Sequence, residues 1–269
     1  MARVVSASLL VVLVLGILVW LPAWATLVAS IGVAGLAAGE LAGLAARAGT
    51  RVSALFVGTA AALVVLAFSL DNLAVLARVP ALHAVILSLI VAAGAMALAA
   101  GADGGALTRA GVLLMAPLYV GLPLGVIATL RATDGPGAVL FLIALVAASD
   151  SAQFYSGRLL GRRQLAPVVS PGKTVEGLVG GLVAAAIVAA AAGPRLLPAT
   201  AVPAVLFAVL GVALALAGVL GDLFESLLKR GAGVKDSSAL IPGHGGVLDR
   251  VDSYLLAAPV FYLFMRLFA

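Results

Sequence analysis

Cysteine is absent from this sequence. That excludes disulfides, thiolate nucleophiles and cysteine-ligated zinc. Histidine is scarce. The two copies, His83 and His244, stand far apart, and no histidine-rich metal site is expected. Charge is scarce as well: 10% of the 269 residues are Asp, Glu, Lys or Arg, against about 25% in a soluble domain. Aromatic residues make up 6%, and no basic–aromatic stripe suggests a nucleic-acid partner. The net charge of +5 then points to membrane topology rather than to DNA or RNA.

What the sequence does have is apolar length. It is 64% hydrophobic, with a mean hydropathy of +1.25. No soluble fold buries that much apolar surface, so lipid must be the solvent for much of the chain. Backbone in lipid has to bond internally, and the long apolar runs indicate helices rather than a barrel. The expected fold is all-α, a polytopic integral membrane protein of about nine transmembrane helices. The runs fall at 4–22, 24–46, 52–77, 81–100, 106–130, 135–157, 174–194, 201–229 and 252–268. The first break rests on Pro22. The N-terminal stretch has the outline of a signal peptide, but its apolar run is long and many spans follow. It reads as an uncleaved first helix. No linker divides the chain, and 1–269 reads as a single membrane-embedded domain.

Two polar loops stand out, 158–173 and 230–251. With the N-terminus in the cytoplasm and nine spans, twelve basic residues fall inside: Arg3, Arg47, Arg51, Arg109, Arg158, Arg162, Arg163, Lys173, Lys229, Arg230, Lys235 and Arg250. Four fall outside: Arg78, Arg131, Arg195 and Arg266. The positive-inside rule therefore puts both long loops in the cytoplasm and the C-terminus outside. Small residues recur at Gly35, Gly39 and Gly43, at Gly121 and Gly125, and at Gly177 and Gly181. This spacing lets helix backbones approach closely. Packing within the chain is the expected use, and a homodimer seam is the other reading.

Seven of the eleven acidic residues lie between 150 and 252, near the two loops. Asp222 and Ser226 are four apart and share a helix face; Glu225 and Lys229 form a second such pair. Carboxylates within a span are costly and mark functional sites. Asp222 reads as functional, whereas Glu225 fits a function or an interfacial salt bridge equally. In the segment Ile241 to Asp252, Pro242, Gly243, Gly245 and Gly246 allow a tight turn with exposed N–H groups, which can cradle phosphate. Lys229, Arg230, Lys235 and Arg250 flank it and suit phosphate neutralisation, with His244 as a further donor. Asp249 and Asp252 open the last helix. They read either as cap and dipole partners or as part of a magnesium site, since that ion takes one or two carboxylates plus phosphates and water. Asp222 and Asp249 are expected to converge on one ion. Asp150 is a charge inside a predicted span. Thr174 fits a helix cap, with Glu176 favouring the helix dipole. Ser170 and Lys173 match the Ser-x-x-Lys of penicillin-binding proteins, but that motif's companions are absent and the loop is cytoplasmic.

The residues from Ser226 to Asp252 resemble the signature of the phosphatidate cytidylyltransferase (CDP-diacylglycerol synthase) family. The elements are Ser226, Lys229-Arg230, Lys235-Asp236, Pro242-x-His244-Gly245-Gly246 and Asp249-Arg250-x-Asp252. Ser170 to Gly181 resembles a second stretch of the family, and Asp150 with Tyr155 and Gly157 a third. The likeness covers about residues 149–254, the expected catalytic region; 1–148 match only as hydrophobic helices. Two departures are Val175, where many members carry Trp, and Gln153, where a small residue is usual. The resemblance implies attack of phosphatidate on the α-phosphorus of CTP, giving CDP-diacylglycerol and pyrophosphate. It implies Mg²⁺ and, in some members, a second, monovalent cation such as K⁺. It carries Asp222, Ser226 and Asp249 over as metal site, with Asp252 behind them. Catalysis is expected to involve Asp222, Ser226, Lys229, Arg230, Lys235, Asp236, His244, Asp249 and Arg250. Cofactor binding is assigned to Asp150, Ser170, Lys173, Thr174, Glu176, Gly245 and Gly246. The expected partners are CTP, phosphatidate and the bilayer of a bacterial cytoplasmic membrane. A secondary transporter or channel is the alternative. It would place charges near the midplane, whereas these collect at one face. Another lipid nucleotidyl- or phosphotransferase would keep the enzyme class.

Overall fold

The computed structural model describes residues 2–72, 80–101, 103–198, 200 and 202–268. Nine α-helices occur among the described residues: α1 Ala2–Trp20, α2 Ala23–Arg47, α3 Ala54–Asn72, α4 Ala81–Ala99, α5 Ala106–Thr133, α6 Pro136–Leu160, α7 Val175–Leu196, α8 Ala204–Gly231 and α9 Leu248–Phe268. Eight of them, α2 to α9, are long and apolar enough to cross a membrane, and the stretch Ser8–Trp20 of α1 is apolar as well. The protein is an all-α polytopic membrane protein. Each helix lies close to its expected span. Pro22, in extended backbone, is the residue before α2. The end of the expected span 52–77 and Arg78 lie outside the described residues. One element was not foreseen: the first long loop holds a two-stranded antiparallel hairpin, β1 Gln164–Ala166 and β2 Ser170–Thr174.

The chain divides into two compact units. The first comprises Met1–Thr133 with Gly231–Arg250. Its core is the trio α2, α3 and α5, packed through Ala34, Ala38, Val57, Val64, Ala116 and Val120, all buried. Small residues set the spacing. A side chain on Gly58 would come within 2.8 Å of the Gly35 carbonyl oxygen, and one on Gly121 equally near that of Ala61. The guanidinium of Arg131 donates to the Leu18 and Leu21 carbonyls, tying α5 to the end of α1. Asp71 accepts from the first two amides of α4, Ala81 N and Leu82 N, which no intrahelical carbonyl satisfies. Helix α4 is strongly apolar yet exposes Leu87, Ile90, Val91 and Leu98, the pattern of a helix solvated by lipid.

The second unit comprises Asp134–Arg230 with Val251–Ala269. Helices α6 and α7 form an antiparallel pair joined by the hairpin. They cross where Gly157 meets Gly177, and a side chain on Gly181 would strike Cγ of Gln153 at 2.3 Å. Phe141, Phe207, Phe261 and Phe264 build an aromatic core among α6, α8 and α9. The expectation of internal packing holds for Gly35, Gly121, Gly125, Gly177 and Gly181, each against a neighbouring helix.

Candidate active site

In the second unit the polar residues gather at the end of α8. This helix is apolar until Gly221, which itself lies against the Asp252 backbone of α9; a side chain there would stand 2.4 Å from the Asp252 carbonyl oxygen. One residue on, Asp222 takes part in two interactions. Ser226 Oγ donates to its Oδ1 at 3.3 Å, as the four-residue spacing requires. Lys173 Nζ, from β2, stands 2.7 Å from its Oδ2. Asp150 on α6 and Asp252 on α9 both lie within electrostatic reach of Asp222. Glu225 is fully buried and forms its ion pair with Lys229 one turn on. That is the salt bridge expected from the spacing, but inside the protein rather than at an exposed helix end.

The hairpin is held in place by residues of the same unit. Thr174 Oγ1 caps α7, accepting from Gly177 N at 3.0 Å. Glu176 Oε2 accepts from Arg162 N and Arg163 N at 3.0 and 3.2 Å, closing the entry to β1. Arg230 Nε donates to the Val169 carbonyl at 3.3 Å. Ser170 pairs with Ala166 at the turn end of the strands. Gln153, one of the two departures from the family pattern, donates to Ser149 Oγ and to Asp150 Oδ1. The extra length at this position therefore contacts a candidate site residue.

In the first unit, the loop Gly231–Arg250 carries the remaining candidates. Ile241 to His244 is a tight turn, with His244 N donating to the Ile241 carbonyl at 2.9 Å. Pro242 and Gly243 occupy its centre, and φ of 77° at Gly243 is the left-handed value that a type II turn demands of its third residue. Asp249 stands in the first turn of α9, and its Oδ2 accepts from Gly246 N at 2.7 Å and Ser237 N at 3.0 Å, with Ser237 Oγ 2.8 Å away. The amides of His244, Gly246, Val247 and Leu248 thus bond to protein acceptors. Lys235, Asp236 and Arg250 are exposed.

Glu40, on α2, was among the acidic residues but had no expected role. Its carboxylate accepts four hydrogen bonds from this loop: Ser238 Oγ and Val247 N on Oε1, Ser237 Oγ and Leu248 N on Oε2. The signal available in the sequence was a carboxylate in an apolar span. Nothing local connected it to residues some 200 positions on, a separation of 208 for Leu248.

The sequence profile of the cytidylyltransferase family matches residues 1–268. This chain belongs to that family. Among curated proteins it is 47% identical over 135 residues to a phosphatidate cytidylyltransferase of Haemophilus influenzae, covering 47% of this chain and 44% of that protein. It is 38% identical over 161 residues to a phosphatidate cytidylyltransferase of Bacillus subtilis, covering 59% of each. An uncharacterized Escherichia coli protein, YnbB, is 44% identical over 161 residues, covering 60% of this chain and 49% of that protein. The chain thus spans about half the length of the curated relatives it matches.

The oxygen donors present suit a hard cation. Asp222 and Ser226 offer a carboxylate and a hydroxyl on one helix face. Among the described residues, no three His, Asp or Glu side chains form a group able to hold a metal by themselves. Such a donor set fits magnesium bound through one or two carboxylates with substrate phosphates and water, the ion's usual mode, rather than an all-protein cage.

Proposed function

We propose that this chain is a CTP:phosphatidate cytidylyltransferase of a bacterial cytoplasmic membrane. The observation that carries the proposal is the Asp222–Ser226–Lys173 constellation at the polar end of α8. In the reaction a phosphate oxygen of phosphatidate attacks the α-phosphorus of CTP. A P–O bond forms there, the bond to the bridging oxygen breaks, and pyrophosphate leaves with both electrons of that bond. The nucleophile is already an anion, so no strong base is required. The barrier is repulsion between two polyanions, and fixed positive charge with correct alignment lowers it.

Asp222 and Ser226 would hold Mg²⁺, with Asp252 of the same unit as a further expected ligand. When bound, the ion supplies neutralisation of phosphate charge. Lys173, paired with Asp222, Lys229, paired with Glu225, and Arg230 are the basic groups of the second unit near this site. Lys235, His244 and Arg250 are basic groups of the first. Gly245 and Gly246 act by having no side chain: one on Gly245 would meet Asp249 Oδ2 at 2.6 Å, and one on Gly246 would meet Ser237 Oγ at 2.1 Å. In the proposed orientation both polar loops face the cytoplasm. CTP arrives from water, and phosphatidate arrives from the inner leaflet. Purified protein given CTP, Mg²⁺ and phosphatidate should release pyrophosphate and CDP-lipid in equal amounts, and chelating the ion should stop both. Absence of CDP-lipid from folded protein would overturn the proposal.

A further inference from the structure

We propose that Glu40 is a positioning residue for the transfer reaction, gripping the 237–248 segment at both ends and so fixing its glycine turn and Asp249. The inference rests on the cytidylyltransferase reading of that loop.

Glu40 belongs to a helix that is otherwise apolar through its middle, where a carboxylate needs a partner. The partners it has are specific. On Oε1 it accepts from Ser238 Oγ at 2.7 Å and Val247 N at 2.9 Å. On Oε2 it accepts from Ser237 Oγ at 2.8 Å and Leu248 N at 2.9 Å. Each oxygen therefore holds one hydroxyl from the start of the 237–248 segment and one amide from its end. The two amides are at the opening of α9, where no intrahelical carbonyl reaches. Glu40 thus caps α9 from another helix, and charge-assisted bonds of this kind are about twice as strong as neutral ones. Between the grips, Ile241 N donates to the Gly245 carbonyl and His244 N to the Ile241 carbonyl, closing the turn.

The grip passes directly to Asp249. Ser237 Oγ lies 2.8 Å from both Glu40 Oε2 and Asp249 Oδ2, so its single proton is shared between the two carboxylates. Gly246 lies against the same link. A side chain there would stand 2.3 Å from Glu40 Oε2 and 2.1 Å from Ser237 Oγ. The hydrogen bonds of Glu40 go to the Ser237 and Ser238 hydroxyls and to the Val247 and Leu248 amides. Its influence on the reaction runs through the loop backbone and Asp249, which makes it a positioning residue rather than a catalytic one.

A neutral amide cannot replace this carboxylate. The side-chain NH₂ of Glu40→Gln would face a backbone N–H, donor against donor, whichever way it turned. Hydrogen–deuterium exchange of the loop and steady-state kinetics with CTP and phosphatidate, on full-length Glu40→Gln and Glu40→Asp, test the proposal. In Glu40→Gln, exchange at Val247 and Leu248 should quicken at least tenfold and kcat should fall at least tenfold. KM for phosphatidate should stay within twofold of wild type. Glu40→Asp, which keeps the charge on a shorter arm, should fall between wild type and Glu40→Gln in both readouts. Unchanged exchange in Glu40→Gln overturns the grip. Faster exchange with kcat within twofold of wild type overturns the positioning role. If Glu40→Gln does not fold, Ser238→Ala, which removes one of the four bonds, takes its place. Quicker exchange at Val247 with at least a twofold loss of kcat then supports the proposal, and no change in either overturns it. Exchange needs no turnover, so a failed grip is distinct from an inactive wild-type enzyme, which would refute the cytidylyltransferase reading instead.

Discussion

Asp222 stands where an apolar helix turns polar, half-buried, with a hydroxyl on one oxygen and an ammonium on the other. Asn in its place keeps the shape and removes the charge. Replacing Asp222 by Asn should therefore leave the fold intact and lower kcat by about a hundredfold or more, read by pyrophosphate release beside a thermal melt in detergent. Gly246 makes a different demand. Gly246→Ala must push Ser237 or Glu40 aside, and overpacking of this kind costs about 1–3 kcal/mol, measurable as lost stability in the same melt. Reading the sequence by helical spacing found Asp222 with Ser226 and Glu225 with Lys229, because four residues along a helix is a local relation. It assigned Glu40 nothing, because its partners are set by tertiary packing. The glycines at 245 and 246 predict a turn with exposed amides, whereas Gly246 N is bonded to Asp249 and the residue itself is buried.

At the scale of elements, the helices were legible and the hairpin was not. Long apolar runs fix a span within a few residues, since lipid leaves the backbone no other solution. The hairpin has no such driver. Its second strand reads Ser-Pro-Gly-Lys-Thr, with proline and glycine where strands disfavour them. It exists because Glu176 takes the Arg162 and Arg163 amides, the Gln164–Thr174 pair closes the ladder, and Thr174 starts α7. Helix α9 likewise begins at Leu248, four residues before the expected 252, because Glu40 and Asp249 satisfy the amides at its opening. Thr174→Ala should cost about 1 kcal/mol, the usual worth of such a cap. Thr174→Ser should recover most of it, as denaturant titration would report. Because Lys173 precedes the cap and pairs with Asp222, Thr174→Ala should also weaken activity more than a distant substitution of equal cost.

For the whole molecule, composition alone established a polytopic helical protein, and the family match over 1–268 extends across the stretch where no motif was visible. Orientation is open to a direct approach because the chain has no cysteine: single cysteines can be introduced without removing others. A membrane-impermeant thiol reagent added outside intact cells should label a cysteine at Arg195 and leave one at Lys235 or Val168 unlabelled until the membrane is opened. Labelling of position 235 from outside would invert the proposed topology. The most direct measurement of the central claim is the yield of CDP-lipid from CTP and phosphatidate, with purified wild-type protein and its Asp222→Asn variant side by side. Wild type should form CDP-lipid and pyrophosphate one for one, and the variant should be at least about a hundredfold slower with its fold preserved. A folded wild type that makes no CDP-lipid, or a variant that matches it, would contradict the reading of this polar cluster as the centre of cytidyl transfer.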